Sequence, residues 1–157
     1  MVDEQTYTEV SAALLPSLYR ISMSILHSHP DAQDAVQQAL LKAWAGRQKA
    51  YPTEYRAYLT RITINECRNI QRYRVRVQPT DAFPEEAAPE SRNTELWDAI
   101  ARLPEKLRTV LLLKYMEQYA EREVAQALGI SVAAVKNRLY RARKEMQKLF
   151  AMEVTFE

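Results

Sequence analysis

The chain has 157 residues, of which 47% are hydrophobic and 27% are charged, and these proportions are ordinary for a globular protein. No apolar run approaches the roughly 18 residues that a membrane-spanning helix needs, and the acidic opening MVDEQ is unlike a signal peptide. The single cysteine, Cys67, excludes an intramolecular disulfide and suits a reducing compartment, so we expect a cytoplasmic protein. Only two glycines interrupt a chain rich in Ala, Leu, Gln, Glu, Lys and Arg, which predicts an all-α fold.

Charge is unevenly distributed along the chain, although the net charge is only +2. Residues 47–76 contain eight Lys or Arg against two acidic residues, and residues 131–148 contain six against one. Residues 75–95 contain three prolines, an acidic excess and no apolar periodicity, which is typical of a linker. The sequence therefore predicts two small helical modules, residues 1–74 and 96–157, each with a basic segment suited to contact a polyanion.

Three helices are predicted in the N-terminal module. The second helix, DAQDAVQQALLKAWAG, would be capped by Asp31 and would end at Gly46. The third, TEYRAYLTRITINECRNIQRYR, would be capped by Thr53. The apolar positions at helical spacing are Leu14, Leu18, Ile21 and Ile25 in the first helix; Ala35, Val36, Ala39, Leu40 and Ala43 in the second; and Leu59, Ile62, Cys67 or Glu66, and Ile70 in the third.

Four helices are predicted in the C-terminal module. The first is LWDAIARL, and the second, PEKLRTVLLLKYME, has Pro104 in its first turn. The third, EREVAQAL, is followed by Gly129, which permits a tight turn, and by Ser131, which can cap the fourth helix. Two helices joined through this short turn form a helix-turn-helix, in which the second member is the recognition helix. The predicted apolar stripes are Leu107, Val110, Leu111 and Lys114 in the second helix, and Val124, Ala125 and Leu128 in the third.

The fourth helix separates apolar from cationic side chains. Its inner face is predicted to carry Val132, Val135, Leu139, Met146, Leu149 and Phe150. Its outer face is predicted to carry Ala133, Asn137, Tyr140, Arg141, Lys144 and Lys148, with Lys136, Arg138 and Arg143 at the border. Small or neutral residues precede the cations, so the backbone can approach base edges while the cations meet phosphates. A charged stripe is commonly only a solvated face, but its place after a Gly-turned helix favours DNA binding.

Other constellations do not indicate a catalytic or metal site. His27 and His29 lie two residues apart in HSHPD without a third ligand nearby, so no metal is expected. Cys67 has no histidine placed to activate it in a recognisable motif. Trp44 and Trp97 are expected to pack in the small cores. We therefore expect no cofactor, no small-molecule substrate and no enzymatic activity.

Both modules resemble the extracytoplasmic-function (ECF) sigma factors of bacterial RNA polymerase. DAQDAVQQALLKAW and YRAYLTRITINECRNIQRYR resemble the family's first domain, and LPEKLRTVLLLKYMEQYAEREVAQALGISVAAVKNRLYRARKEMQKL resembles its second. The resemblance implies a promoter-specificity subunit that binds core RNA polymerase and promoter DNA, for a stress or envelope regulon. It also implies a cognate anti-sigma factor, often membrane-anchored.

Residue by residue, the resemblance implies three contact sets. The polymerase-binding set is Asp31, Asp34, Gln37 and Gln38 on the second helix. The −10 set on and before the third helix, within a surface that begins at the loop 47–52, is Lys49, Arg56, Tyr58, Arg61, Asn65, Arg68, Asn69 and Arg72. The −35 set on the fourth helix of the C-terminal module is Ser131, Ala133, Ala134, Lys136, Asn137, Arg138, Tyr140, Arg141 and Lys144. Tyr55 and Tyr58 fit either a base-holding surface or the core equally well.

The chain departs from the family pattern at several positions. Gln38 replaces a common Glu, Ile64 a basic residue and Asn69 a common Asp. Ala120 stands where the family places a capping Ser, and Gln118 where it places Gly. Either Gln118 substitutes for the cap, or the helix that follows begins less firmly.

Two other classes also use basic helices. A stand-alone helix-turn-helix regulator would need a sensing domain, and residues 1–74 are predicted to be all-helical and too short for one. An RNA-binding or ribosome-associated protein would not require a polymerase-binding face at Asp34–Gln38.

Overall fold

The computed structural model describes residues 1–77 and 94–149, and all regular secondary structure in these ranges is helical, as predicted. None of the described helices is long and apolar enough to cross a membrane. The chain divides into two compact units; α1 to α3 belong to the first, and α4, α5 and α7 to the second. The α-helices are α1 (Glu4–Leu26), α2 (His29–Ala45), α3 (Tyr55–Val77), α4 (Thr94–Arg102), α5 (Glu105–Leu111), α6 (Glu121–Leu128) and α7 (Val132–Leu149).

An apolar core holds α1, α2 and α3 together. The stripe predicted on α1 is buried throughout, and on α2 every predicted position is buried except Leu40, which is half-buried. Alanines dominate the inner face of α2, so its neighbours can approach its backbone closely. Burial of each larger aliphatic side chain stabilises the fold by about 1.5–3 kcal/mol. The main buried cluster consists of Val2, Leu14, Leu18, Val36, Ala39, Ala43, Ala50, Tyr55 and Leu59.

The start of α2 differs from the prediction. Ser28, not Asp31, is the N-cap, and its hydroxyl accepts a hydrogen bond from the Asp31 N–H at 3.4 Å. The preceding residue, His27, adopts a left-handed conformation with φ of 54° and ends α1. The prediction was wrong because this turn places Ser28 one step before the first helical residue, where a cap acts. Gly46 ends α2 as predicted, and its N–H donates to the Lys42 carbonyl at 2.9 Å.

The bounds of α3 also differ from the prediction. Thr53 does not cap it, because Pro52–Glu54 forms a separate 3₁₀ turn and the α-helix begins at Tyr55. The helix continues to Val77, three residues into the predicted linker, and α4 begins at Thr94. The rest of the linker prediction, residues 78–93, lies outside the described residues.

The second unit has its own apolar core, made by α4, α5 and α7. Its buried residues are Ala99, Ile100, Leu103, Leu107, Leu111, Leu112, Ala142 and Met146. Trp97 packs against this cluster, as predicted. Arg108 is buried beside it, and its guanidinium donates to the carbonyl of Leu103 at 3.0 Å. Burial lowers the pKa of Arg108, but its role is to satisfy a carbonyl at the end of α4.

Two left-handed residues shape the turns on either side of α6. Gln118 has φ of 60° and Gly129 has φ of 67°. Gly129 confirms the predicted tight turn, whereas Gln118 adopts a conformation that costs an L-residue roughly 1–2 kcal/mol. Ser131 caps α7 as predicted, since its hydroxyl accepts from the Ala134 N–H at 3.1 Å. The helix predicted over residues 104–117 is interrupted, because α5 passes into a π turn at Leu112–Met116.

The burial of α7 confirms the middle of its predicted inner face and corrects both ends. Its buried residues are Val135, Leu139, Ala142 and Met146. Val132 is 37% exposed and Leu149 is 40% exposed, so their assignment to the inner face was wrong. They are the first and last residues of the helix, where fewer neighbours cover a side chain. Phe150 lies outside the described residues.

We predict that Ala120→Ser stabilises the second unit. Ala120 precedes α6 and its carbonyl accepts from the Val124 N–H at 2.9 Å, but its methyl group cannot cap the orphan N–H groups. Serine there would form a capping box with Glu123 and add about 1 kcal/mol. Thermal unfolding followed by Trp97 fluorescence, in a Trp44→Phe background, measures the gain.

The matched control for this substitution is Ala101→Ser. Ala101 is exposed within α4, where serine has a lower helix propensity and no cap to form, so this variant should be neutral or slightly destabilised. Equal effects from the two variants would contradict the capping argument.

Candidate nucleic-acid interface

The side of α7 opposite the buried stripe presents most of the predicted −35 set. At its beginning the exposed residues are small or neutral, and cations follow further along the helix. Within the set, Ala134 and Arg138 are half-buried at the border. The exposed members are Ser131, Ala133, Lys136, Asn137, Tyr140, Arg141 and Lys144.

The cations of α7 differ in how they are held. Arg143 donates to the Tyr115 hydroxyl at 3.0 Å, and Lys148 pairs with Glu145 at 3.3 Å. The ammonium of Lys144 lies 5.5 Å from the centre of the Tyr140 ring, which is within cation–π range. The Tyr140 ring restricts Lys144 and so reduces the side-chain entropy that a phosphate contact would cost, whereas Arg143 and Lys148 already have partners within the chain.

The exposed side of α3 carries a second polar stripe. Arg61, Asn65, Asn69 and Arg72 recur at spacings of three and four, and all four are exposed. Arg72 donates to the side-chain oxygen of Asn69, so the stripe is internally hydrogen-bonded. Of the other predicted cations, Lys49 is exposed, whereas Arg56 and Arg68 are half-buried. A row of cations and amides at this spacing can follow a nucleic-acid backbone.

The tyrosines near the start of α3 have different roles. Tyr55 is fully buried, shares a 3.1 Å hydrogen bond with Ser11, and its burial raises its pKa to about 12. It is a core residue. Tyr58 is half-buried and donates to the Gly46 carbonyl at 3.3 Å, so its ring supports the preceding loop. Tyr51, which the sequence analysis did not single out, is 67% exposed in that loop. In the sequence, the position of Tyr51 beside Pro52 and outside any helical stripe is the signal that would have indicated an exposed loop residue.

The face of α2 predicted to bind polymerase is open at three of its four residues. Asp34, Gln37 and Gln38 are exposed, and Leu41 beside them is 64% exposed. Asp31 is different, because its carboxylate is half-buried and pairs with Arg74. Its side chain is therefore already engaged within the first unit.

The structure also shows the surroundings of the histidine and tryptophan side chains that the sequence analysis considered. Within residues 1–77 and 94–149, no group of three His, Cys, Asp or Glu is placed to hold an ion. The ring of His29 stacks on the ring of Tyr19 with 5.7 Å between the ring centres, and the Nδ1 of His29 contacts the Tyr19 hydroxyl. Trp44 was expected in the core but is 36% exposed, between the edge of Tyr7 and the guanidinium of Arg47.

Two family models match the chain. Sigma-70 region 2 matches residues 11–77, and sigma-70 region 4 matches residues 93–146. Among relatives, the ECF RNA polymerase sigma factor SigM of Mycobacterium tuberculosis is 30% identical over 139 residues, 84% of this chain and 70% of that protein. RNA polymerase sigma factor SigV of Bacillus subtilis is 29% identical over 135 residues, 82% of this chain and 81% of its own length.

This chain belongs to the ECF group of the sigma-70 family.

Solved structures agree with that assignment. The sigma factor RpoE from Bartonella quintana, solved in complex with the anti-sigma factor NepR, aligns with a TM-score of 0.80 and 26% identity, covering 94% of this chain and 98% of that one. CnrH, solved with the cytosolic domain of CnrY, aligns with a TM-score of 0.73 and 24% identity, covering 97% of this chain and 92% of its own, and supports the fold. The α1–α3 unit of this sigma factor corresponds to region 2, and α7 lies in region 4.

We predict that Asp31→Asn destabilises the first unit of the sigma factor by about 1 kcal/mol, the size expected for a partly exposed ion pair. The substitution removes the charge that faces Arg74, whose guanidinium also donates to the Leu26 carbonyl at 3.1 Å. Urea unfolding followed by Trp44 fluorescence, in a Trp97→Phe background, measures the loss. The matched control is Asp34→Asn, three residues along the same helix and exposed, which should leave the stability unchanged. Equal stability of the two variants would contradict a structural role for Asp31.

Proposed function

We propose that this sigma factor reads the promoter −35 element with α7. The observation that supports this most directly is the division of α7 into a buried apolar stripe and an exposed face, with Ala133 and Asn137 ahead of Arg141 and Lys144. A recognition helix needs this order, because its first turns approach base edges while later cations meet phosphates. Asn137 carries a side-chain amide that can hydrogen-bond a base edge directly.

We further propose that the first unit captures the −10 region. Lys49 and the stripe Arg61, Asn65, Asn69 and Arg72 would follow the displaced strand. Cations that track a single strand, with amide groups to hold unstacked bases, are what strand capture requires. Asp34, Gln37 and Gln38 would face the basic surface of core polymerase, and Asp31 would act indirectly by holding the end of α3.

In this scheme the polymerase carries out the chemistry, and the sigma factor contributes specificity from within the cytoplasm. The unit formed by α1 to α3 and the unit that contains α7 act as the two promoter-binding domains. Because RpoE of Bartonella quintana was solved with an anti-sigma factor, we propose that a partner of that class controls this protein too. A stress or envelope regulon would then depend on release from that partner.

The function is tested by incubating the purified protein with core RNA polymerase, followed by run-off transcription on fragmented genomic DNA. We expect a stable complex and discrete transcripts that core polymerase alone does not make. A protein that ignores polymerase but binds duplex DNA specifically by itself would instead be a stand-alone regulator.

The orientation of α7 is tested by Arg141→Ala combined with Lys144→Ala. If both contact phosphates, removing them should weaken promoter binding by the holoenzyme and lower the slope of log K against log salt by about 2. Fluorescence anisotropy with labelled promoter DNA at several salt concentrations measures the slope. Arg102→Ala with Lys106→Ala removes two exposed cations from other helices and serves as the control, for which we expect the original slope. An unchanged slope in the α7 variant would overturn this orientation.

A further inference from the structure

The chain before α1 is fixed to the loop between α2 and α3. Val2 is fully buried within the core cluster that also contains Ala50 and Tyr55. The N–H of Val2 donates to the carbonyl of Arg47 at 3.0 Å. A buried side chain and a backbone hydrogen bond therefore join this short leading segment to the loop, 45 positions further along the sequence.

The segment around Val2 is itself held in one conformation. Asp3 caps α1, and its carboxylate accepts from the Thr6 N–H at 2.7 Å. That hydrogen bond lowers the pKa of Asp3. The Asp3 carbonyl also accepts from the Tyr7 N–H at 2.9 Å, which completes the first turn. Val2 therefore packs into the core from a position immediately before the capped start of α1.

The loop that Val2 contacts is supported from its other sides as well. The guanidinium of Arg47 lies 3.6 Å from the centre of the Trp44 ring and donates to the Trp44 carbonyl at 2.9 Å. The Gly46 carbonyl accepts from the Lys49 N–H at 2.9 Å and from the Tyr58 hydroxyl at 3.3 Å. A Cβ at Gly46 would collide with that hydroxyl, so a larger residue there would require the Tyr58 side chain to shift. Contacts with Val2, Trp44 and Tyr58 therefore hold the backbone of this loop.

Three side chains of the loop are exposed, those of Gln48, Lys49 and Tyr51. Lys49 is exposed, and Tyr51 is 67% exposed. Between them Ala50 is 5% exposed and belongs to the same buried cluster as Val2. The loop thus alternates a buried anchor with a cation and an aromatic ring directed outward. An aromatic ring beside a cation is a suitable platform for an unstacked base and its phosphate.

We propose that Val2 is a positioning residue for strand capture: it holds the Arg47–Tyr51 loop in the conformation that presents Lys49 and Tyr51 to the opened promoter strand. This inference rests on the proposed function. Without the anchor the loop would be competent for only part of the time, and the apparent affinity for the opened strand would fall in proportion. The proposed −35 surface is on α7, which belongs to the other unit, so recognition of the −35 element should not depend on Val2.

The test compares Val2→Asp, Val2→Ala and Val2→Ile in holoenzymes on a promoter found in the run-off experiment. Permanganate reactivity of unpaired thymines measures strand opening on fully duplex DNA. Fluorescence anisotropy measures the affinity of each holoenzyme for the same promoter with a pre-opened mismatch bubble and for a duplex fragment that carries only the −35 element. We expect Val2→Asp to lose roughly tenfold in opening on duplex DNA, if the loop is competent about a tenth of the time. The affinity for the bubble template should fall by the same factor while the affinity for the −35 fragment stays unchanged, and Val2→Ile should behave as the original protein. Val2→Ala, which introduces no charge, should lose less in the same direction.

Ile25→Ala is the control for loss of stability alone. Ile25 is also buried on the α1 side of the unit but is outside the cluster that contains Val2 and Ala50. It should lower the melting temperature without changing the ratio of the affinities for the bubble template and for the −35 fragment. A Val2→Asp protein with an unchanged ratio would overturn the proposal. If the original protein opens no promoter, the proposed function fails instead.

Discussion

The orientation of α3 and α7 about their own axes determines which of their side chains are exposed. The proposed promoter-binding surfaces depend on this orientation. In α7, burial of Val135, Leu139, Ala142 and Met146 leaves a single face for the cations. In α3, burial of Leu59, Thr63 and Cys67 leaves the opposite stripe of arginines and asparagines exposed. Each buried aliphatic side chain contributes about 1.5–3 kcal/mol, whereas a solvated cation contributes little to stability, so the apolar face determines the orientation. The polar residues are then free to serve recognition.

In the first unit, polar contacts hold the two ends of α3 in place in addition to the apolar core. Arg74 connects the end of α3 to the Asp31 carboxylate on α2 and to the carbonyl of Leu26 on α1, so one guanidinium ties three helices together. At the other end of α3, Tyr58 supports the loop through Gly46. Both ends of the exposed α3 stripe are therefore braced, and preorganisation of this kind lowers the entropy that binding must overcome.

The sequence predicted the helical class, most of the apolar stripes and the capped start of α7, because periodicity and the Gly129–Ser131 turn are local signals. It did not predict features that depend on distant partners. An aspartate at position 31 suits a helix cap or a contact with a partner protein, yet its carboxylate pairs with Arg74, 43 positions further along the chain. Tyr55 and Tyr58 could not be divided between core and surface from spacing alone, since aromatic side chains suit both. Tyr51 and Val2 lie outside any helical period, and only the fold connects Val2 to the loop. The site residues on the exposed faces remain predictions.

We propose that the exposed faces of α7 and α3 contact two separate parts of one promoter, the −35 element and the −10 region. Photocrosslinking amino acids placed singly at Asn65 on α3 and at Asn137 on α7 test this directly in a holoenzyme bound to a selected promoter. We expect position 137 to crosslink only to the −35 duplex and position 65 only to the strand displaced in the −10 region. Crosslinks from both positions to the same block of DNA, or none to DNA from position 65, would contradict it.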